Sequence, residues 1–284
     1  MLSPYLIENR HLAVKRCKHG LMMYNRNDAF VGRGLDLYGE WCEFEINLMR
    51  IFIKPGDTVI DAGANIGTHT IAFANLVGPS GLVHAFEPQR RNFLMMAGNV
   101  ALNGHDNVIC HQKAVGDKNG EINLPPMPPP DTNFNFSAVS LADGAEKGEN
   151  IPLVTLDSLN LSACRVVKID TEGMEPQVLR GAQGLIARCR PLLYVENNEP
   201  EASKRLAPIL NELGYTAWWS ISGYFDARNF YSNTDNVWPN VVPSANMLCT
   251  PKEMNIALSG HQPFLGADDS WQACVQRMSA GMQK

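Results

Sequence analysis

The sequence predicts an α/β fold in which a doubly wound, mostly parallel sheet carries helices on both faces. Three observations predict it. Short buried-strand patterns alternate with helical patterns from residue 58 onward, which is typical of a parallel sheet. A glycine-containing segment, residues 61–67 (DAGANIG), follows the first of these strands and opens a helix. An acidic residue, Glu87, ends the next strand.

The elements follow one another in a regular order through the first half of the chain. An amphipathic helix is predicted over residues 44–52, at the end of an otherwise loop-like leader, and residues 55–57 (PGD) end it. Apolar runs then predict three strands, at 58–62, 81–87 and 107–115. Helical periodicity predicts two helices between them, at 67–77 and 89–104.

The second half continues the alternation. Pro176 suits the first turn of a helix, and Gly214 suits the end of another. The patterns predict strands at 165–170, 192–196, 215–221 and 245–250, and helices at 176–189, 201–213 and 268–282. Residues 125–150 and 222–244 are rich in proline, glycine or asparagine and are predicted to be irregular.

Size and composition limit the possible classes of protein. A length of 284 residues suits one large domain with appendages, which we divide into a leader at 1–55, a sheet domain at 56–250 and a helical tail at 251–284. The formal net charge of −5 argues against a nucleic-acid partner. No apolar run reaches the ~18 residues of a membrane span. Seven widely spaced cysteines indicate free thiols, and we expect a soluble, cytoplasmic protein.

The glycine segment predicts a nucleotide-like cofactor. Glycines at a strand-to-helix turn let a ligand approach the backbone, and an acidic residue such as Glu87 can accept both hydroxyls of a ribose. Asn65 stands where a dinucleotide fingerprint has its middle glycine, and Asp61 is a poor neighbour for a diphosphate. An acidic group suits the ammonium of an amino-acid tail instead. The loop therefore favours S-adenosylmethionine over a nicotinamide dinucleotide.

Several motifs together resemble those of FkbM-type methyltransferases. They are the segments 61–67 (DAGANIG), 85–88 (AFEP), 114–117 (AVGD), 168–175 (KIDTEGME) and 178–182 (VLRGA), and the resemblance covers roughly residues 24–250. It implies the class I, Rossmann-like methyltransferase fold with a seven-stranded sheet. It also implies O-methylation of a hydroxyl on a sugar, a glycan or another natural product.

The resemblance further implies which residues bind the cofactor. The methionine part is assigned to the glycine segment, the ribose to Glu87 and the adenine to the start of the third motif. The complete predicted set of cofactor-binding residues is Asp61, Gly63, Asn65, Gly67, Glu87, Ala114, Val115 and Asp170.

A hydroxyl acceptor benefits from a general base, because its proton leaves during methyl transfer. Candidates must follow the sheet strands, where ligands bind in such folds. They are Asp170, Glu172, Glu196 and His69. Each has a plainer alternative as a helix-start, pairing or packing residue. The three carboxylates could also bind Mg²⁺, although nothing in their spacing requires it, and we predict no metal.

The acceptor and the assembly state are less constrained. Aromatic residues concentrate in the two irregular regions and are candidates for an acceptor pocket, although one of Trp218 and Trp219 is expected in the core. The terminal helix is expected to dock on its own domain or on a second copy, and its apolar side contains Trp271, Val275, Met278 and Met282. Three other functions remain open: a nicotinamide-dependent oxidoreductase, a non-catalytic cofactor-binding module and, more weakly, a nucleic-acid amino-methyltransferase.

Overall fold

The N-terminal leader is a small structured layer in the computed structural model, which describes residues 5–140, 147–199 and 201–281. It contains three antiparallel strands and two helices: β1 (Ile7–Glu8), β2 (Leu12–Cys17), β3 (Gly20–Asn25), α1 (Val31–Tyr38) and α2 (Glu43–Arg50). Only α2 was expected. The prediction of polar loops before it was wrong, because β2 and β3 pair in register and bury side chains against the rest of the molecule.

The first half of the sheet domain follows the predicted alternation closely. Its elements are β4 (Thr58–Ala62), α3 (Thr68–Val77), β5 (Leu82–Phe86), α4 (Arg90–Leu102) and β6 (Val108–His111). The expected strand at 107–115 is divided, because the chain leaves the main sheet after His111. A small second sheet begins there and consists of β7 (Ala114–Val115), β8 (Gly120–Leu124) and β9 (Glu149–Val154).

The second half completes the sheet. Its elements are β10 (Val166–Ile169), α5 (Glu175–Arg180), α6 (Gln183–Cys189), β11 (Leu192–Glu196), α7 (Ala202–Glu212), β12 (Tyr215–Ser222), β13 (Ser244–Pro251) and α8 (Trp271–Gly281). The main sheet has seven strands in the order β12-β13-β11-β10-β4-β5-β6. β13 is antiparallel to both neighbours and the other pairs are parallel. This is the doubly wound, class I methyltransferase topology.

A single helix was predicted over 176–189, and the structure divides it at Gly181. A Cβ atom at Gly181 would lie 1.9 Å from the backbone oxygen of Gly116, so only glycine fits at the point where α5 ends. Asp157 then starts α6, because its carboxylate accepts the backbone N–H groups of Gly184 (3.0 Å) and Leu185 (2.6 Å).

The leader is attached to the sheet domain by side-chain amides of α4. Asn99 accepts a hydrogen bond from the Met23 backbone N–H at 2.6 Å and donates one to its carbonyl at 3.0 Å. Asn103 makes the same pair of bonds to Leu21, each at 2.8 Å. These amides satisfy backbone groups of β3, and they place α1 and α2 beside the carboxyl ends of the sheet strands.

The terminal helix docks on its own domain. Cys274 is fully buried, and the Trp271 indole donates to the Asn198 carbonyl at 3.2 Å. Val275 and Met278, which were expected on the same apolar face, remain 38% and 36% exposed. The fourth member of that predicted face, Met282, lies outside the described residues. Among the helices of the described chain, none is long and apolar enough to cross a bilayer.

Candidate active site

A cavity of about 320 Å³ opens at the carboxyl ends of the central strands. This volume is within the range of ligand pockets, roughly 300–1,000 Å³. The turns after β4, β5, β10 and β11 reach it, because parallel strands end at one edge of the sheet. Most of the residues predicted from the sequence line it, namely Gly63, Asn65, His69, Glu87, Ala114, Val115, Asp170, Glu172 and Glu196.

The loop after β4 is shaped by two residues in the left-handed region. Gly63 has φ +82°, and a Cβ atom there would lie 1.7 Å from the Asp170 carbonyl oxygen, so glycine is required for this approach. Asn65 has φ 52°. Its backbone N–H donates to Glu87 Oε2 at 2.8 Å, while Glu87 Oε1 accepts from the Gln89 N–H at 2.8 Å. Burial raises the pKa of Glu87 to about 7.

Two predicted cofactor residues do not line the cavity. Asp61 is fully buried beneath the loop, where its Oδ2 accepts a hydrogen bond from the Thr70 hydroxyl at 2.7 Å. Gly67 starts α3 with φ +88° and packs against Met96. In this geometry both residues support the loop from below.

Lys168 lies on β10 and neutralises the acidic residues around it. Its buried Nζ is 3.1 Å from Asp170 Oδ2 and 3.4 Å from Asp61 Oδ1. The Asp61 contact is an ion pair without hydrogen-bond alignment. Burial alone would lower the pKa of Lys168, but the carboxylates of Asp170, Asp61 and Glu45 outweigh burial and raise it. Lys168 is therefore a charged lysine already committed to two partners.

Asp170, Glu172 and Glu196 form a compact group. One carboxylate oxygen of each lies within 4.8 Å of the others. Lys168 lowers the pKa of Asp170 against the opposing effect of burial. Burial, followed by the charges of Asp170 and Glu175, raises the pKa of Glu172 to about 8. Burial and the charges of Asp170 and Glu172 also raise the pKa of Glu196 well above its usual range. Crowded carboxylates that resist ionisation are suited to a cationic ligand.

The backbone around Glu172 is held in an unusual conformation. Glu172 has φ 53°, which costs a non-glycine residue on the order of 1 kcal/mol. Glu175 maintains the turn, because its Oε1 accepts from the backbone N–H groups of Thr171 (2.9 Å) and Gly173 (3.1 Å). A helix-start role was considered for Glu172, but Glu175 is the residue that starts α5 and binds these N–H groups. Glu172 projects into the cavity instead.

His69 faces a carboxylate that the sequence did not single out. Its Nε2 is 3.2 Å from Oε2 of Glu45, on α2 of the leader, and both side chains are buried. The other oxygen of Glu45, Oε1, accepts from the Ser244 hydroxyl at 2.6 Å and from the Asn246 amide at 3.0 Å. Both His69 and Glu45 line the cavity.

Three aromatic side chains form an aromatic wall that lines part of the cavity. It consists of Phe30 and Trp41 from the leader and Tyr224 from the irregular segment 222–244. Trp41 and Tyr224 stack with centroids 5.0 Å apart, and Phe30 meets Tyr224 edge-on at 5.8 Å. Only Tyr224 came from the aromatic set expected to form a pocket. Trp218 and Trp219 are both buried, although only one of them was expected in the core.

The sequence could not identify the leader's contribution. Glu45 is one acid among several in an amphipathic helix, and Trp41 precedes that helix without a motif. Lys168 was within a recognised motif, and the signal that could have identified it is a lysine inside an otherwise apolar strand (VVKI). A charge in a buried strand requires a partner.

Comparison with known proteins agrees with this geometry. The family model for the methyltransferase FkbM domain matches residues 61–217. The chain belongs to the FkbM methyltransferase family. The match runs from the end of β4 into β12, so it includes the FkbM cofactor loop and the acidic group. It does not include Trp41, Glu45, Tyr224 or Asn246.

Among relatives of this FkbM chain, Methyltransferase 1 of Beauveria bassiana (strain ARSEF 2860) is 28% identical over 150 residues. The match covers 45% of this chain and 59% of the relative's length. Methyltransferase FkbM from Methylobacillus flagellatus KT is 16% identical, with a TM-score of 0.44 over 68% of this chain and 43% of that one. TYW2 from M. jannaschii, crystallised with AdoMet, is 14% identical, with a TM-score of 0.44 over 87% and 89%.

Proposed function

We propose that this protein is an S-adenosylmethionine-dependent O-methyltransferase. The observation that carries the proposal is that a cofactor loop of the FkbM type and a group of three carboxylates face one cavity. We call the residues Gly63, Asn65, Glu87, Ala114 and Val115 the donor side. We call Phe30, Trp41, Glu45, His69 and Tyr224 the acceptor side. The three carboxylates lie where the two sides meet.

The residues of the donor side fit this cofactor. Both oxygens of Glu87 are fixed by backbone N–H groups, so the carboxylate is held in place to accept further hydrogen bonds from ribose hydroxyls. Ala114 and Val115, on β7, provide an apolar surface for adenine. The buried lysine beside the loop is paired with Asp61 and Asp170, so it is not free to bind a diphosphate. This favours S-adenosylmethionine over a nicotinamide dinucleotide.

The group of carboxylates fits the charge of the cofactor. When bound, S-adenosylmethionine supplies a methyl group on a positively charged sulfonium. Asp170, Glu172 and Glu196 concentrate negative charge that Lys168 balances only in part. Fixed opposite charge in a site sheltered from water stabilises a cation more strongly than water-exposed charge does. We therefore assign these carboxylates to the cationic centre, and no metal ion is required for that role.

The acceptor side supports a hydroxylated organic acceptor. An aromatic wall offers an apolar face for a ring, while Glu45 and His69 offer polar groups beside it. This mixture suits the hydroxyl of a sugar, a glycan or another small natural product. The main contribution of the site to the rate is alignment of that hydroxyl with the methyl group.

The experiment uses the purified protein with methyl-labelled S-adenosylmethionine and matched acceptors that differ only in a hydroxyl, an amine or a hydrogen at one position. We expect S-adenosylhomocysteine and a labelled methyl ether from the hydroxyl compounds alone. Labelled N-methyl product, or reduction of acceptors with NADH, would contradict the proposal. Cofactor binding without turnover across the panel would indicate a non-catalytic binding module.

The same assay tests the role of the carboxylates. We expect the rate to persist in EDTA, because the sulfonium and Lys168 provide the positive charge. Loss of the rate in EDTA, with recovery on addition of Mg²⁺, would assign Asp170, Glu172 and Glu196 to a metal ion instead.

A further inference from the structure

Glu45 is held by three different elements at once. It extends from α2 in the leader, its Oε1 accepts two hydrogen bonds from β13, and its Oε2 faces His69 on α3. Glu45 is only 3% exposed. A buried carboxylate with one oxygen fully occupied and the other directed at an imidazole has very little freedom to move.

This contact also determines which nitrogen of His69 is available. Nε2 is covered and faces the carboxylate. In the described part of the chain, Nδ1 has no hydrogen-bond partner, and the ring lines the cavity. A neutral imidazole beside a carboxylate keeps its proton on the nitrogen that faces the carboxylate, which leaves the lone pair on the other nitrogen. His69 Nε2 and Glu45 Oε2 are 3.2 Å apart without the alignment of a hydrogen bond.

The carboxylates at the strand ends are less suited to removing a proton at neutral pH. Asp170 is bound to Lys168, which makes it a weak base. Glu172 and Glu196 are assigned by the proposed function to the sulfonium, so their negative charge is already paired with that cation when the acceptor is in place. His69 differs because its Nε2 lies 3.2 Å from Glu45 Oε2, while its ring lines the cavity.

We propose that Glu45 is a positioning residue that orients His69, and that His69 Nδ1 accepts the proton of the acceptor hydroxyl. This inference rests on the proposed function. The hydroxyl oxygen bonds to the transferred methyl carbon, and the electron pair of the carbon–sulfur bond stays on sulfur. The hydroxyl proton goes to Nδ1, which gives an imidazolium whose Nε2 faces Glu45. Water then takes the proton before the next cycle.

Helix α2 supplies a matched control for the experiment. Glu43 is on the same helix, is 7% exposed and also faces a histidine, with its Oε2 2.7 Å from His19 Nε2. Glu43 does not line the cavity. Glu43→Gln therefore makes the same chemical change on the same helix. It also acts next to a histidine, but outside the cavity and away from the proposed reaction.

The activity measurements are steady-state kcat and KM for Glu45→Gln, Glu43→Gln, His69→Gln and the Glu45→Gln/His69→Gln double variant. We expect His69→Gln to lower kcat on the order of 100-fold or more, as for loss of a general base. We expect Glu45→Gln to lower kcat at least about tenfold in the native background, and hardly at all once His69 is absent. Glu43→Gln should stay within about twofold of the native kcat.

A second measurement does not depend on turnover. Nitrogen-15 NMR of the histidine rings distinguishes the two neutral tautomers. We expect His69 to carry its proton on Nε2 in the native protein and in Glu43→Gln, and to populate both tautomers in Glu45→Gln. If Glu45→Gln does not fold, Asn246→Ala removes one of the two bonds that hold Glu45, and the same changes are expected at smaller amplitude.

Three results would overturn the inference. One is an equal loss of kcat from Glu45→Gln with and without His69. Another is a large loss for Glu172→Gln combined with near-native turnover of His69→Gln. The third is an unchanged His69 tautomer in Glu45→Gln. If the native protein methylates nothing, the proposed function fails while the NMR result still decides whether Glu45 orients His69.

Discussion

The donor side and the acceptor side of the cavity are built in different ways. On the donor side, Glu87 bonds to backbone groups of Asn65 and Gln89, which are 22 and 2 positions away in the sequence. On the acceptor side, Glu45 bonds to Ser244 and Asn246, about 200 positions away. The donor side is therefore a local motif that the FkbM match covers, whereas the acceptor side exists only after distant segments meet.

This difference suggests that recognition of the cofactor and recognition of the acceptor depend on different parts of the sequence. The proposed donor side uses residues between positions 63 and 115, so it lies within one stretch of the sequence. The proposed acceptor side also uses the leader and residues 222–246, which flank the matched region. Changes on the acceptor side are expected to alter acceptor use while cofactor binding is retained.

Lys168→Met is the strongest way to break the donor side, because it leaves Asp61 buried without its counter-charge. Removing one partner of a buried ion pair costs about 3–5 kcal/mol, and we expect that loss in the free energy of unfolding measured with urea. The control is Arg165→Met, at the residue directly before β10, the strand that carries Lys168. Its ion pair with Asp57 is half exposed, so the loss should be below about 1 kcal/mol. Similar losses in both variants would show that Asp61 does not depend on Lys168.

Glu87→Ala is expected to separate the two sides most clearly. Removing the carboxylate takes away the proposed ribose contact and leaves the ribose hydroxyls without their acceptor, which costs about 1–3 kcal/mol of cofactor binding. Calorimetry should show S-adenosylmethionine binding weakened by about 5- to 150-fold. The acceptor KM at saturating cofactor should be unchanged. Glu121→Ala on β8 is the control, and a change in the acceptor KM alone would refute the ribose assignment.

The affinity for S-adenosylmethionine should increase as the pH rises toward 8. Below that value Glu172 holds a proton, because its pKa is raised to about 8, and a bound cation favours the ionised form. The proton must then leave on binding, so affinity increases by up to about tenfold per pH unit and levels off above pH 8. S-adenosylhomocysteine lacks the sulfonium charge and should show a shallower dependence. Calorimetry at several pH values checks this, and an equal slope for Glu172→Gln would assign the proton to another group.

Trp41→Leu is the mildest test and is directed at the acceptor side. It removes the stacking with Tyr224, worth about 1 kcal/mol, so the acceptor KM should rise about fivefold while cofactor affinity is unchanged. Trp271→Leu on α8, outside the cavity, serves as the control. An unchanged acceptor KM together with weaker cofactor binding would place Trp41 on the donor side.

Features formed by neighbouring residues were predicted from the sequence, whereas features formed by contacts between distant segments were not. The strands β4 and β11 were predicted with their exact bounds, because an apolar run between turn residues is a local signal. The division of the 176–189 helix was not predicted, because the apolar positions keep one helical period across Gly181, and its close approach to Gly116 is a contact between distant segments. The leader's strands were also missed, because the burial of their side chains depends on α4.

The candidate site shows the same limit. Three carboxylates at two strand ends could be placed at one edge of a parallel sheet from their positions alone, and the structure brings them together. The positions of Asp61 and Gly67 outside the cavity, and of Glu45 and Trp41 at its wall, depend on packing. No periodicity or spacing within a short window carries that information.

The span between Glu45 and Asn246 also has a consequence for synthesis on the ribosome. At about 5–20 residues per second, roughly 10–40 seconds separate the emergence of the two residues. Every residue of the donor side has left the ribosome well before Asn246 does. We therefore expect the residues of the proposed donor side to be outside the ribosome before the acceptor side can form, because Glu45 is held only after residues 244–246 emerge.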